Sequence, residues 1–265
     1  MTISRPESGV QTGFRHEMNR KERDYSRVRM NQESIRLNKY ISARGVCSRR
    51  EADRLIEERR VTINGITADN GMRVTDNDEV RVDGNIIVPE DNKIYIALNK
   101  PLGITCTSDP TDEDNIIDYL GLPDRVFTIG RLDKNSSGLI LLTNDGDIVN
   151  KLLRAENGHE KEYRVKVDRP IADDFKSKME GGLPILGQIT LPCEVTVTGA
   201  RSFTIILHQG LNRQIRRMCD HLGYRVVKLT RVRFMNIELG DLKPGEYRYL
   251  NNKEKSVLLK LADKN

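Results

Sequence analysis

Four consecutive apolar residues, Leu139-Ile140-Leu141-Leu142, stand inside the stretch GRLDKNSSGLILLTNDG. A strand with one wet face alternates apolar and polar residues; an unbroken run belongs to a strand covered on both faces. Such a strand needs a sheet with a layer packed on each side. A chain of 265 residues is long enough for that, and for a second, smaller domain beside it. The same run is far too short to cross a bilayer. The opening MTISRPESGVQTGFRH has no apolar segment behind a basic start. The expectation is a soluble, cytoplasmic protein with no membrane partner.

The neighbouring segments supply the rest of the sheet. IYIALNKP reads as a short buried strand running into a turn at Pro101 and Gly103. There Lys100 is either part of a structural corner or an RNA contact, and the corner is the better reading. In KEYRVKV the residues Tyr163, Val165 and Val167 alternate, as they do on a strand. FTIILHQG and VRFMNIEL read the same way. After the apolar run, Asn144 or Asp145 caps a helix whose Ile148, Val149, Leu152 and Leu153 face inward, with Asp147 favourably placed in its first turn. A later helix lies in LNRQIRRMCDHLGY, where Ile215, Met218, Cys219 and Leu222 trace one apolar face and Gly223 closes it. Strands and helices of this kind make an α+β fold.

The N-terminal third has a different texture. Residues 1–34 are poor in apolar side chains and rich in Arg, Glu, Asn and Ser, so they read as a flexible basic arm. It is a solvated tail with, at most, a minor attraction to RNA phosphates. Order is expected from Ile35, where Leu37, Tyr40 and Ile41 fall at helical spacing up to Gly45. SRREADRLIEERR then offers Ser48 and Glu51 as a capping box, with Ala52, Leu55 and Ile56 facing inward. Asn64-Gly65 supplies the two residues of a tight type I′ hairpin turn. Outside the apolar stripes stand Arg36, Lys39, Arg44, Arg49, Arg50 and Arg54. A solvated face is the ordinary meaning of such a run, but Glu57 and Glu58 fall mostly after it, which leaves a patch where an RNA backbone can lie. The small domain is expected over residues 35–83 and a linker over 84–93, around VPEDNK. The larger domain fills 94–265.

Several chemistries are disfavoured. Cys47, Cys106, Cys193 and Cys219 show no CxxC and no zinc-ligand spacing, which points to reduced thiols in packing sites and to no metal. GxxxxGK[ST] is absent, so a P-loop is unsupported. The formal charge of +5, from 44 basic and 39 acidic residues, suits a polyanionic partner if the basic residues cluster.

One acid is left over. Asn144, Asp145 and Asp147 have structural explanations, whereas Asp133 sits in a polar loop, Lys134-Asn135-Ser136-Ser137-Gly138, that can present a side chain to a cleft. From the residues alone a turn residue and a functional acid both remain open.

A resemblance tips that balance. The segment from Arg36 to about Asp83, centred on RLNKYISARGVCSRREADRLIEERRVTING, resembles the S4 RNA-binding domain, which implies docking on structured RNA by shape and phosphate contact. GRLDKNSSGLILLTNDG, with LNKPLG upstream and KEYRVKV and GLNRQIRRMC downstream, resembles the RsuA branch of the pseudouridine synthases, which act on ribosomal RNA. That resemblance implies a larger domain on a mixed, largely antiparallel sheet with a central cleft. It implies isomerisation of a uridine to pseudouridine with no cofactor: the N1–C1′ bond breaks, the base turns, and a C5–C1′ bond forms. Asp133 matches the catalytic aspartate and Arg216 the arginine paired with it, holding it charged through a bidentate contact. Of Arg213, Arg216 and Arg217, only Arg216 is raised above a surface charge by the motif. Tyr163 is assigned to stacking on the target uracil, or to proton transfer at C5, where packing alone would make it a core residue. Arg131 approaches the opened base stack. The implied partner is ribosomal RNA, 23S first, with tRNA an open second substrate, and the implied protein is a monomer. Two other readings stand. A retaining glycosidase needs a second carboxylate for which the motifs offer no candidate. A non-catalytic RNA-binding or ribosome-assembly protein accounts for the S4-like part but not for Asp, Tyr and Arg together.

Overall fold

The computed structural model describes residues 34–88, 92–153 and 158–263. The expected arm falls outside them, except for Ser34. The chain divides into two compact units, Met1–Pro89 and Glu90–Asn265.

The first unit holds β1 (Ile35–Arg36), α1 (Leu37–Ala43), α2 (Arg49–Glu57), β2 (Val61–Ile63), β3 (Ile66–Thr67), β4 (Arg73–Val74), β5 (Val80–Val82) and β6 (Asn85–Ile86). Leu37, Tyr40 and Ile41 of α1 pack on Ala52, Leu55 and Ile56 of α2 and on Val61 and Val80 of the sheet β3-β2-β5-β6. Ahead of the first helix, Ile35 and Arg36 pair with Val74 and Arg73 as a short strand. Ser48 caps α2 by accepting from the Glu51 amide at 3.1 Å, worth about 1 kcal/mol. The other half of the expected capping box is missing: the Glu51 carboxylate turns to Arg54, 2.6 Å away. Asn64 and Gly65 both adopt positive φ, 51° and 81°, as a type I′ turn requires. The expected end at residue 83 is too early. β6 pairs with β5, and Ile87 is buried in this unit's core, so the small domain runs to residue 87.

The second unit is built on nine strands: β7 (Tyr95–Lys100), β8 (Phe127–Ile129), β9 (Ser137–Thr143), β10 (Lys161–Val167), β13 (Glu194–Gly199), β14 (Ser202–Leu207), β15 (Val226–Phe234), β16 (Ile237–Glu238) and β17 (Tyr247–Tyr249). The small hairpin β11 (Pro184–Ile185) and β12 (Gln188–Ile189) stands apart. The strand order is β13-β14-β10-β15-β9-β7-β17, with β16 on β15 and β8 on β9. Strand pairing in this sheet is antiparallel except between β15 and β9, where Thr230 meets Ser137 and Arg231 meets Gly138 in parallel. The helices are α3 (Ile116–Leu120), α4 (Gly146–Leu153), α5 (Phe175–Glu180), α6 (Gln214–His221) and α7 (Asn252–Asp263).

The apolar run is enclosed as its sequence requires. Leu139 and Leu141 face a core shared with α4 and α7; Ile140 and Leu142 face another shared with Ile116 of α3, Cys106 and Val126. A third core lies under α5 and α6, against Val165, Val167, Phe203 and Ile205. At the start of α4 the two capping candidates divide the work. Asn144 accepts from the Ile94 amide at 2.9 Å, while Asp145 receives the Asp147 amide at 3.3 Å and the Tyr95 hydroxyl at 2.8 Å. Leu153, expected inward, is 44% exposed and lines a cleft instead.

Candidate active site

β8 and β9 run antiparallel, Ile129 opposite Leu141, so residues 130–136 form the loop between them and Asp133 lies at its middle. Four contacts fix this loop. The Leu132 amide donates to the Cys106 thiol at 3.4 Å, the Ser136 amide to the Asp133 carbonyl at 2.9 Å, and the Gly103 amide to the Lys134 carbonyl at 3.0 Å. The fourth is Arg216, whose Nη2 donates to the Asn135 carbonyl at 2.6 Å and to Ser136 Oγ at 3.2 Å. With its backbone tied on both sides, the Asp133 side chain is left 34% exposed.

Asp133 opens into a cleft of about 250 Å³. Tyr163 lines it from β10, Arg131 stands exposed at its edge, and Leu207, Leu229 and Phe234 give it apolar walls. Tyr163 is half-buried and packs on both the α5–α6 core and the core beneath Ile140. Its hydroxyl has no hydrogen-bond partner among the described residues. It is therefore neither fully a core residue nor a solvated one.

The structure brings Arg216 to Asp133, but not in the bidentate arrangement expected. Its Nη2 is spent on the loop and its Nη1 reaches the Val226 carbonyl at 3.3 Å; only Nε faces the carboxylate, at 3.9 Å, with no hydrogen-bond partner. The correction has a geometric cause: a guanidinium lodged between β15 and the loop has one edge left for the acid. Arg216 is 11% exposed, and burial, then the neighbouring Arg213 cation, lowers its pKa while Asp133 opposes this.

Sequence reasoning missed several groups. Arg213 also reaches Asp133, Nη1 to Oδ2 at 3.9 Å, from a left-handed backbone position (φ 51°) just before α6. Nothing in its neighbours signals that conformation, which non-glycine residues adopt at some cost. Lys161 and Arg231 line the cleft from β10 and β15, hidden in the sequence among alternating strand residues. Lys100 forms the corner: fully buried, it donates to the Pro101 and Ile104 carbonyls at 2.8 and 2.7 Å. Burial lowers its pKa, with Cys106 and Asp133 acting the other way.

The expected basic patch of the small unit is reduced. Arg44 is mostly buried, stacked 3.3 Å over the Tyr40 ring and paired with Asp76 at 2.8 Å. Arg54 is paired with Glu51 at 2.6 Å and with Glu58 at 3.7 Å, so the acids lie among the cluster rather than after it. Lys39 is half-buried. Arg36, Arg49 and Arg50 are exposed, Arg36 on β1 rather than on a helix, and these three make no ion pair among the described residues. No group of three or more His, Cys, Asp or Glu among the described residues is placed to hold a metal ion. No described helix is long and apolar enough to cross a membrane.

A partly exposed aspartate on a tied loop, Tyr163 and several arginines thus line one cleft, and family comparison says what kind of protein carries it. Residues 94–221 match the RNA pseudouridylate synthase family and residues 35–87 the S4 domain, and the chain belongs to the RNA pseudouridine synthases. It is 53% identical over 232 residues to the dual-specificity RNA pseudouridine synthase RluF of Escherichia coli K12, covering 87% of this chain and 80% of that one. It is 35% identical to the ribosomal large subunit pseudouridine synthase B of Bacillus subtilis, covering 86% and 97%. A crystal structure of a pseudouridylate synthase aligns over 86% of this chain and all of its own, with a TM-score of 0.63 and 28% identity.

Proposed function

We propose that this RNA pseudouridine synthase acts on a uridine of ribosomal RNA, 23S first, with Asp133 as the group that works at the glycosidic carbon. The observation that carries the reading is the Asp133 carboxylate, held half-open on a tied loop with two arginines 3.9 Å away and Tyr163 lining the same cleft. An ionised carboxylate can attack C1′, or stabilise positive charge there, once the nucleotide is turned out of the RNA into the cleft. Turning it out costs a few kcal/mol, which the exposed Arg36, Arg49 and Arg50 help to offset through phosphate contacts, with Arg131 at the gap left in the stack. Tyr163 supports the base by stacking, and its unpartnered hydroxyl fits that role better than a wired proton relay. Arg216 positions the Asp133 loop, and Arg213 shares the balancing of its charge. The dual-specificity name of the Escherichia coli relative supports a second RNA substrate here as well, with tRNA the candidate.

Single-turnover pseudouridine formation on ribosomal RNA fragments tests this. Asp133→Asn is nearly isosteric, so RNA binding is expected to persist while the rate falls by about 10⁴-fold or more. A near wild-type rate removes Asp133 from the chemistry. A wild-type protein that modifies no RNA, mapped across total RNA with and without the gene, leaves the non-catalytic RNA-binding reading in its place.

A further inference from the structure

The cleft holds two cations that the chemistry above leaves unused. Lys161 on β10 and Arg231 on β15 share a sheet face with Tyr163, which stands opposite Arg231 in the strand register. Arg231 is only 3% exposed; its Nε donates to the Leu139 carbonyl at 2.6 Å, and its Nη2 is buried with no hydrogen-bond partner. Lys161 Nζ donates to the His159 carbonyl at 2.9 Å. Both cations lie over the Phe234 ring, at 5.9 Å for Lys161 Nζ and 5.6 Å for the Arg231 guanidinium carbon. Neither makes an ion pair among the described residues. Burial, then the Arg231 charge, pulls the Lys161 pKa down to about 8. Two cations side by side, with an unsatisfied donor and no acid between them, destabilise the empty protein. Such an arrangement becomes favourable when an electron-rich group arrives.

We propose that Lys161 and Arg231 form a subsite for the uracil ring as an anion, holding its carbonyl oxygens while the base is detached from the ribose. The inference rests on the reading of this cleft as the pseudouridine-forming site. When the N1–C1′ bond breaks, its electron pair stays on the base and spreads from N1 over O2 and O4, while C1′ is held by the Asp133 carboxylate. After the ring turns, an electron pair at C5 forms the bond to C1′ and releases the carboxylate. The C5 proton passes to water and N1 takes one back, so atoms and charge balance without a co-reactant. The two cations bind the anionic ring more strongly than the neutral one, and only such a difference lowers the barrier. They also favour uracil over cytosine, because a pair that only donates suits two carbonyl oxygens and not an amino group.

The charged and titratable groups around Lys161 are Arg131 and Asp133 from the β8–β9 loop, His159, Glu160, Glu162 and Tyr163 beside it in the chain, the two glutamates paired with Arg233, His208 and Arg213 before α6, and Arg231 from β15. His159 has its pKa lowered by burial and by Lys161. The test uses the full chain with Lys161→Met and Lys161→Arg, assayed by single-turnover rate, binding of the same RNA, and kcat/KM against pH. Lys161→Met is expected to be about 10²-fold slower, with RNA affinity little changed, and Lys161→Arg to recover part of the rate. Since the active form is protonated, wild-type kcat/KM falls as pH rises through about 8, and Lys161→Met lacks that limb. Lys161→Met removes a buried charge beside another, so its Tm stays at or above that of the wild type, and lost rate does not come from unfolding. A Lys161→Met enzyme at wild-type rate, or one that keeps the alkaline limb, overturns the subsite. If Asp133→Asn is inactive while Lys161→Met is not, only the subsite fails; if Asp133→Asn is fully active, the reading of the cleft fails with it.

Discussion

At the scale of single residues, the site divides into groups that a sequence can expose and groups that only a fold can. Elimination singled out Asp133, since its neighbouring acids had caps and first turns to serve, but left a turn residue and a functional acid both open until the family resemblance assigned it a role. Arg216 stood out only through its motif, and its work differs from the expectation. It holds the Asn135 carbonyl and Ser136 hydroxyl, and reaches Asp133 with a single 3.9 Å approach. Arg216→Lys is therefore expected to keep the charge and lose the fork that spans loop and strand. Each hydrogen bond from a charged donor contributes about 1.5–3 kcal/mol, so a loss of about 2 kcal/mol by urea denaturation and a rate about 10- to 100-fold lower in single turnover are expected. A lysine variant with wild-type rate and stability would assign Arg216 a charge role alone. Arg213, Lys161 and Arg231 were not legible, because a charge on an alternating strand or beside a helix carries no mark of the acid, ring or cleft it meets across the sheet.

Elements were read best where burial alone decides them. The Leu139–Leu142 run demanded two covering layers and has them. The apolar face Ile215, Met218 and Cys219 of α6 is buried as its spacing requires. Short strands escaped notice: β1 and β6 have two residues each, too few for a period to register, and their pairing depends on partners elsewhere in the chain. The capping box illustrates the same limit, since Arg54 competes for Glu51 and the sequence does not rank the two partners. The parallel joint between β9 and β15 makes the sharpest demand on one position. A Cβ at Gly138 would lie 2.2 Å from the Arg231 carbonyl oxygen and 2.7 Å from its nitrogen, and Gly138 has φ 102°. Gly138→Ala must therefore part the two strands, and a loss of about 3–5 kcal/mol in denaturant titration is expected. Arg231 moves with its backbone, so turnover should fall even in the fraction that remains folded. A variant with an unchanged denaturation midpoint would mean that the strands tolerate separation.

For the whole molecule, the division into two units was foreseen, though not its place. Composition located a linker, but β6 and Ile87 carry the small unit's core to residue 87. Sheet connectivity was legible only through family resemblance, because strand order is set by contacts between residues far apart in the chain. Each unit has its own enclosed core, so a chain beginning at residue 90 is expected to fold with a single cooperative transition. Its RNA affinity should drop, and log Kd should vary less steeply with log salt, because the proposed phosphate contacts of Arg36, Arg49 and Arg50 are gone. An unchanged salt slope would show that the small unit does not engage the RNA backbone.

The parallel joint also has a bearing on time. Ser137 and Thr230, which meet there, are 93 positions apart, and synthesis runs from the N-terminus. The strands β7, β8 and β9 and the aspartate loop emerge while Tyr163, Arg216 and Arg231 are still unmade, and pairings of such long separation are slow to form. A chain that ends after β9 thus holds Asp133 without Tyr163, Arg216, Lys161 or Arg231, the other groups that the proposed site needs. Activity is therefore expected only after β15 has docked against β9, since that joint sets Arg231 beside the aspartate loop.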